Sequence, residues 1–220
     1  MPSPARQDYL KQIYLKQREF PDRLVPMGEL AASMVVTSGT ATSMVKALAD
    51  TGMVDYSPHN GVRLTPGGEQ VALQMLRKHR LVELFLVNAL GLDWSEVHIE
   101  AERLEHALSD TLLERLDAFL GHPDVDPHGD PIPSAKGRMD ETRLKNLAEC
   151  PPGKPFRIAR VVDQDPEFLR FADRHDLRPG AKVEVESRDA IADAVSLRTE
   201  GGSAVTLGST AAAKLLVEPA

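Results

Sequence analysis

Residues 27–64, MGELAASMVVTSGTATSMVKALADTGMVDYSPHNGVRL, contain the pattern that defines the first domain of the chain. A short helix is predicted over residues 27–34, directly after Pro26. After a break, a second helix is predicted over about 39–50, and a glycine suited to a helix end follows it. Two short runs of β-forming residues then flank the turn residues at 57–60, which predicts a hairpin.

The segments on either side complete the first domain and begin a second. An amphipathic helix, capped by Ser3 and stopped by Pro21, is predicted before this stretch, so that three helices and a hairpin make a winged helix-turn-helix. A long helix is predicted over 66–89 and another from about 94 to 120, with apolar faces suited to a helical layer or a dimer seam. Residues 121–155 hold seven of the 16 prolines, which is typical of a linker.

The last part of the chain changes to an alternating pattern. One short helix is predicted over 166–172. Short alternating strands separated by glycine or proline predict a small β-barrel. The strands are expected at 156–162, 182–186, 194–198 and 204–207. The fold class is therefore mainly α with a small β part.

Charge is unevenly distributed along the chain. The net charge is −7, with 26 Lys and Arg against 33 Asp and Glu, which alone disfavours a nucleic-acid partner. Residues 1–80, however, hold ten basic and seven acidic side chains, residues 81–150 hold six and 15, and residues 151–220 hold ten and 11. The acid is thus concentrated in the middle of the chain, and the winged domain is mildly basic.

The composition also limits location and chemistry. No apolar run approaches the roughly 20 residues that a bilayer span needs, so no membrane partner is expected. A single cysteine, Cys150, excludes an intramolecular disulfide and every CxxC metal site, and an inert thiol is expected there. The first 25 residues lack the pattern of a signal peptide, so a cytoplasmic location is expected.

Imidazole and carboxylate side chains recur at helical spacing where the acid is densest. One predicted helix presents four such side chains at i, i+4, i+7 and i+8: His98, Glu102, Glu105 and His106. The preceding helix presents His79 and Glu83 at i and i+4. Converging carboxylates repel unless a cation lies between them, and this donor set suits a hard or borderline divalent transition metal. The alternative is a solvated polar helix face, and the HExxH and Glu-x-x-His patterns of metalloenzymes are absent.

A second set of residues points independently to DNA. The predicted recognition helix begins in small and hydroxylated residues, which allow its N-terminus to approach a phosphate and leave hydroxyl groups for base edges. A run of N-cap candidates is the alternative explanation. The candidates are Thr37, Ser38, Gly39, Thr40, Thr42 and Ser43, with Lys46 on the same helix and Arg63 in the wing for backbone contacts.

Several blocks, occurring in this order, resemble the diphtheria-toxin-repressor family of metal-dependent transcriptional regulators. They are the winged helix-turn-helix, the RKHRLVE block at 77–83, the EHALSD block at 105–110 and the HGDPIP loop at 128–133. The resemblance extends over essentially the whole chain. It implies a winged-helix DNA-binding domain at 1–72, a helical metal-binding and dimerisation domain at 73–150 and an SH3-like β-domain at 151–220.

The resemblance also implies two metal sites per subunit. The primary site would comprise Asp8, Glu102, Glu105 and His106. The ancillary site would comprise His79, Glu83 and His98, with Glu167 or Gln164 added from the β-domain.

The residues of the implied primary site bear on the identity of the metal. Iron regulators of the family often have Met at the Asp8 position and Cys at the Glu102 position, whereas manganese regulators have Asp and Glu. Carboxylate oxygen suits Mn(II), so Mn(II) is expected, with Fe(II) as the alternative. Lys11 stands where similar manganese regulators have a bridging Glu, and this favours two separated sites over a compact binuclear centre.

The expected function is a homodimeric regulator, a repressor by resemblance, that binds double-stranded operator DNA when loaded with metal. A mononuclear metalloenzyme with Glu105 as general base is a remote alternative, because the ligands lie on packed helices rather than in a substrate pocket. The third alternative is a regulator whose β-domain senses an organic ligand, and no motif in the sequence supports it. His122, His128 and His175 lie in loop-like sequence and are expected to be solvated.

Overall fold

The computed structural model describes residues 2–139 and 142–220, and the chain divides into two units. The first unit comprises Met1–His79 and Pro133–Arg138, and the second comprises Arg80–Ile132 and Met139–Ala220. The predicted fold class is confirmed, with a helix-turn-helix, a helical region and a C-terminal antiparallel sheet. Within the described residues, no helix combines the length and the apolar character needed to cross a membrane.

The first unit is the winged helix-turn-helix. Its elements are α1 (Pro4–Glu19), α2 (Met27–Ser33), α3 (Ser38–Asp50), β1 (Val54–Ser57), β2 (Gly61–Leu64) and the first turns of α4 (Pro66–Leu90). The hairpin strands pair antiparallel from Val54 opposite Leu64 to Ser57 opposite Gly61. The core consists of side chains that the helical and alternating patterns turn inward, including Leu10, Ile13, Leu30, Val45, Leu48 and Val62.

The turn between α2 and α3 sets the recognition helix in place. Val35 has a φ of 53°, a left-handed conformation that is unfavourable for a β-branched residue. The turn is held by backbone bonds from Val35 N–H to the Ala32 carbonyl and from Val36 N–H to the Ala31 carbonyl. The Thr37 hydroxyl then caps α3 by accepting from the N–H of Thr40.

The second unit begins with the rest of α4 and two further helices, α5 (Val97–Glu105) and α6 (Asp110–Phe119). The single helix predicted over 94–120 was wrong, because the Ser109 hydroxyl accepts from the N–H of Leu112 and starts a new helix. Residues 121–132 form an irregular segment with one bridge between Val125 and Pro131.

The β-domain is a six-stranded antiparallel sheet in the order β3-β8-β4-β5-β6-β7. The strands predicted from alternation are confirmed, and a short strand at each end of the region was missed. The bounds are β3 (Lys145–Asn146), β4 (Pro155–Val161), β5 (Lys182–Asp189), β6 (Ala194–Thr199), β7 (Ala204–Gly208) and β8 (Leu215–Pro219), with a 3-10 turn at Leu147–Glu149 and helices α7 (Pro166–Arg174) and α8 (Ser209–Ala212).

The predicted linker at 121–155 is partly structured. It contributes β3 and the 3-10 turn, and Cys150 is buried in the core of the β-domain, where its thiol donates to the Asn146 carbonyl. Burial raises the pKa of the Cys150 thiol, which keeps it in the unreactive protonated form. Residues 140 and 141 of this range lie outside the described residues.

Candidate metal sites and DNA-binding surface

The four candidate ligands on α5 and its C-cap lie as two close side-chain pairs in the second unit. His98 Nε2 lies 3.6 Å from Glu102 Oε1, and His106 Nε2 lies 3.7 Å from Glu105 Oε1. Glu105 is fully buried, whereas Glu102 is exposed. Asp8 is half-buried on α1 of the first unit. His98, Glu105 and His106 each belong to a group of described side chains whose ligand atoms lie close enough together to hold a metal ion, whereas Glu102 belongs to none of these groups.

The predicted ancillary residues fall into different environments. Glu83 is fully buried on α4, and its Oε1 lies 3.3 Å from Nδ1 of His98. His79 is buried one turn earlier on the same helix, at the end of the first unit. Gln164 donates from Nε2 to the Asp130 carboxylate over 3.3 Å. Glu167 is exposed at the start of α7 and belongs to no metal-binding group found among the described residues.

A third cluster, in the core of the second unit, was missed from the sequence. It consists of Glu83, Asp126 and His128, all three buried, and one ligand atom of each lies within 4.8 Å of the others. His128 Nδ1 is 3.8 Å from Glu83 Oε2. The prediction that His128 is solvated was wrong, because the loop carrying it folds into the interior and leaves the side chain fully buried. We call this group the buried cluster.

The orientation of His128 gives the buried cluster donor atoms that could hold a metal ion. Its Nε2 lies 2.9 Å from the carbonyl of Trp94, which can only accept, so Nε2 carries the hydrogen. In the neutral ring, Nδ1 then has no hydrogen, and its lone pair is directed toward the carboxylates of Glu83 and Asp126. Neither this Nδ1 nor Oδ2 of Asp126 has a hydrogen-bond partner among the described residues. Acceptor atoms that face one another in the interior are stabilised by a proton or a cation between them.

The charge around Asp126 supports the same conclusion. Burial raises the pKa of Asp126 well above its ordinary value, and the neighbouring Asp130 and Glu83 carboxylates raise it further. Arg80 opposes this shift, but its Nε remains 3.7 Å from Asp126 Oδ2 and its Nη2 is also 3.6 Å from Asp130. A divalent cation fits this donor set, because two carboxylates and one imidazole are ligands for Mn(II) or Fe(II).

The loop at 126–130 is shaped to present Asp126 and His128. Asp126 Oδ1 accepts from the N–H groups of His128 and Asp130, so Oδ2 is left to face the cluster. Gly129 has a φ of 85°, and a Cβ there would lie 2.0 Å from the Ala159 carbonyl. The family-like HGDPIP loop was the available signal for this site, but the spacing of its residues gives no indication of burial.

The predicted DNA-binding residues of the first unit form an exposed helix start. Thr37, Ser38, Gly39, Thr40, Ser43 and Lys46 are exposed, and Thr42 is half-buried. The Thr42 and Ser43 hydroxyls donate to the carbonyls one turn earlier, which leaves their lone pairs facing outward. Arg63 is half-buried and donates from Nη2 to the Pro21 carbonyl, so its guanidinium is partly engaged by its own unit.

Comparison with protein families matches the chain in three parts. Residues 1–62 match the iron dependent repressor N-terminal DNA binding domain, residues 65–134 match the iron dependent repressor metal binding and dimerisation domain, and residues 145–219 match the FeoA domain.

Relatives that align over most of the chain belong to the same family as the matched domains. The iron-dependent repressor IdeR of Mycobacterium leprae is 31% identical over 198 residues, which cover 83% of this chain and 84% of that protein. The diphtheria toxin repressor of Corynebacterium diphtheriae is 32% identical over 195 residues, which cover 82% and 84%. A solved structure described as a manganese-dependent transcriptional repressor in complex with manganese is 41% identical, has a TM-score of 0.88 and covers 98% of this chain and 100% of that one. The resemblance drawn from the sequence is confirmed: the chain belongs to the diphtheria-toxin-repressor family of metal-dependent, DNA-binding transcriptional repressors, and it is a regulator rather than an enzyme.

Proposed function

We propose that this chain is a cytoplasmic repressor that binds operator DNA as a homodimer when loaded with Mn(II). The observation that carries the choice of metal is the donor chemistry, which is carboxylate oxygen and imidazole nitrogen in each of the three groups of described side chains that could hold a metal ion. The one cysteine lies in the core of the β-domain and belongs to no ligand group among the described residues. Oxygen-rich sets of this kind suit Mn(II), whereas a thiolate would favour softer ions. The 41% identity to a manganese-dependent repressor supports the same choice.

We assign the primary site to Asp8, Glu102, Glu105 and His106. Without a cation, these three carboxylates repel one another. A bound divalent ion would supply the positive charge that offsets this repulsion. Asp8 belongs to α1, which packs against α2 and β2 of the DNA-binding unit, whereas the other ligands belong to α5 and its C-cap. Shared ligation would therefore connect the DNA-binding unit to the helices of the second unit.

Glu83 is central to the second metal position. Its Oε1 lies beside His98 and its Oε2 lies beside His128, so it belongs both to the predicted ancillary set and to the buried cluster. We propose the buried cluster as the second position, because Asp126 and His128 each offer an acceptor atom without a hydrogen bond. His79, His98, Gln164 and Glu167 remain the alternative partners of Glu83 that the resemblance implies.

We propose that the helices of the second unit form the surface through which two subunits pair. Exposed large apolar side chains occur on α4, α5 and α6 of this unit: Leu90, Ile99, Leu104, Leu112 and Phe119. Exposed apolar side chains mark interaction surfaces where they form one patch, and the matched family domain is a dimerisation domain. Operator binding by such a dimer would require its two copies of α3 to lie about 34 Å apart, the spacing of successive major grooves.

Replacing Glu102 with cysteine tests both the ligand assignment and the metal. Glu102→Cys is expected to shift activation from Mn(II) toward Fe(II), Co(II) and Zn(II), because thiolate binds softer ions. The measurement is the concentration of each metal that gives half-maximal operator binding, followed by fluorescence anisotropy. Glu100→Cys replaces a half-exposed carboxylate on the same helix that pairs with Arg103, and this matched control should keep the wild-type metal order. The same metal order in the Glu102 variant and in wild type would remove Glu102 from the primary site.

An iron-responsive regulator is the second candidate function. The matched domains are described as iron dependent, and the IdeR of Mycobacterium leprae is an iron-dependent repressor by name. Carboxylate and imidazole donors also accept Fe(II). In the same anisotropy assay, wild-type activation at lower Fe(II) than Mn(II) concentration under reducing conditions would favour this second candidate.

A further inference from the structure

Trp94, the sole tryptophan of the chain, lies directly against the buried cluster. Its ring stacks on the imidazole of His128 with centroids 5.5 Å apart and planes inclined by 25°. Its carbonyl accepts the Nε2 hydrogen of the same imidazole over 2.9 Å. One residue therefore determines both the plane of the His128 ring and the nitrogen that carries the proton.

The β-domain in turn holds Trp94. The residue is buried in the hydrophobic core that also contains Ile158, Leu169 and Leu177. The Arg178 guanidinium lies over the indole, 5.1 Å from the ring centroid. Because Trp94 precedes α5 in sequence yet packs among residues of the sheet, the core of the β-domain acts directly on a residue of the helical region.

The backbone of His128 is fixed by the same domain. The N–H of Val161, on β4, donates to the His128 carbonyl over 2.8 Å. The next residue, Gly129, allows the loop to lie against Ala159 of the same strand, where any side chain would clash. Both the ring and the main chain of His128 are thus placed by contacts that the β-domain makes or supports.

We propose that Trp94 is a positioning residue for metal binding, through which the packing of the β-domain sets the affinity of the buried cluster. The inference rests on the proposed metal-binding function of Glu83, Asp126 and His128. Trp94 holds His128 in the tautomer whose Nδ1 lone pair faces the two carboxylates, so that less reorganisation is needed when a cation binds. The FeoA-type domain then acts on metal affinity through its core contacts with Trp94.

The role of Trp94 lies in its ring and carbonyl and not in its indole N–H. Trp94 Nε1 is buried and has no hydrogen-bond partner among the described residues, so the polar atom contributes nothing that a phenyl ring would lack. Phenylalanine would keep the main-chain carbonyl and an aromatic face for stacking. Leucine would keep apolar bulk and the carbonyl but lose the stacked face. The two substitutions therefore separate stacking from mere filling of the core.

The experiment is a Mn(II) titration of the full-length dimer, with free Mn(II) followed by electron paramagnetic resonance. Trp94→Leu is expected to weaken Mn(II) binding at the buried cluster by about 10–100-fold, the usual effect of losing an outer partner of a ligand histidine. Trp94→Phe should stay within about threefold of wild type, because stacking and carbonyl persist. The melting temperature of each metal-free variant is measured in parallel. Unchanged affinity in Trp94→Leu would overturn the inference.

His128→Gln separates failure of this inference from failure of the proposed function. If the buried cluster binds metal, this variant loses one Mn(II) per subunit. An unchanged stoichiometry would refute the site itself. Loss of the ion in His128→Gln together with wild-type affinity in Trp94→Leu would keep the site and refute the role of Trp94.

A second test, with a smaller change to the core, is used if Trp94→Leu fails to fold. Arg178→Met removes the cation over the indole without opening the core, and it should weaken Mn(II) binding by about threefold, since a half-exposed cation–π contact is modest. Arg174→Met, at an exposed position at the end of α7, is the matched control and should bind as wild type. Equal affinity of both arginine variants and wild type would then overturn the role of Trp94.

Discussion

Asp126→Asn is expected to abolish tight Mn(II) binding at the buried cluster while making the metal-free protein more stable. The asparagine Oδ1 would still accept from the N–H groups of His128 and Asp130, so the loop keeps its shape. Its Nδ2 would replace the Oδ2 atom that lacks a hydrogen bond and would donate toward Glu83 and His128. The substitution therefore replaces a buried carboxyl group, which can donate a hydrogen bond only while it is protonated, with an amide that donates at every pH.

The size of both effects follows from these contacts. Satisfying the buried acceptors should raise the free energy of unfolding of the metal-free protein by about 1–2 kcal/mol. In a chain of this length that corresponds to a rise in melting temperature of about 2–6 °C. Loss of a charged ligand should weaken Mn(II) binding by at least about a hundredfold, since even outer partners are worth 10–100-fold. Scanning calorimetry in chelator and a Mn(II) titration measure the two quantities.

The pH dependence of stability provides the control for this prediction. The pKa of Asp126 is raised in the folded state by burial and by its neighbouring carboxylates, so the folded protein holds a proton that the unfolded chain releases. Metal-free wild type should therefore lose stability as pH rises from the ordinary aspartate range through the raised value. Asp126→Asn should lack this loss, and its advantage over wild type should grow across that window. A destabilised variant that still binds Mn(II) tightly would contradict the assignment of Asp126.

Charging the apolar surface of α6 is expected to convert the dimer to monomer and to remove operator binding. Leu112 and Phe119 are exposed on this helix, and in a dimer their burial would contribute the apolar area that holds the subunits together. In Leu112→Glu/Phe119→Glu, two carboxylates per subunit would be buried against their symmetry mates. The dimer dissociation constant should rise by at least about a hundredfold, typical of the loss of central interface residues. Sedimentation equilibrium and anisotropy on operator DNA measure the two consequences.

Ile191→Glu is the matched control for the dimer prediction. Ile191 is fully exposed between β5 and β6, so it has the same apolar character on a surface not proposed for pairing. This variant should remain dimeric and bind DNA as wild type. Dimeric Leu112→Glu/Phe119→Glu protein that retains operator affinity would place the interface elsewhere on the molecule.

Most of the fold follows from local sequence signals. The helix-turn-helix, its hairpin and the four long strands of the β-domain could be predicted because side-chain periodicity and turn residues act over a few positions. The break between α5 and α6 was missed because the apolar pattern continues across it, and only the cap at Ser109 marks the new helix. The strands β3 and β8 were missed because the pairing of Lys145–Asn146 with Leu216–Val217 is a long-range contact.

The candidate site shows the same division between local and long-range information. Spacing along one helix predicted that His98, Glu102, Glu105 and His106 lie near one another, and the structure places His98 beside Glu102 and His106 beside Glu105. Burial of His128 depends on how the loop packs against α4 and β4, and no local pattern contains that information. Histidine in a loop rich in proline and aspartate usually faces solvent, so the buried cluster could be recognised only once three distant segments were seen to converge.

Control of operator binding by metal is measured by comparing the affinity of one protein for one operator with and without Mn(II). An operator is selected by the Mn(II)-loaded protein from a pool of random duplexes, labelled, and titrated with protein at one salt concentration, once with Mn(II) and once with a chelator. A coupling of about 2.7 kcal/mol, within the usual range between two sites, predicts at least a hundredfold tighter binding with Mn(II). A scrambled duplex should bind weakly in both conditions. Equal affinity for the operator with Mn(II) and with chelator would contradict the claim.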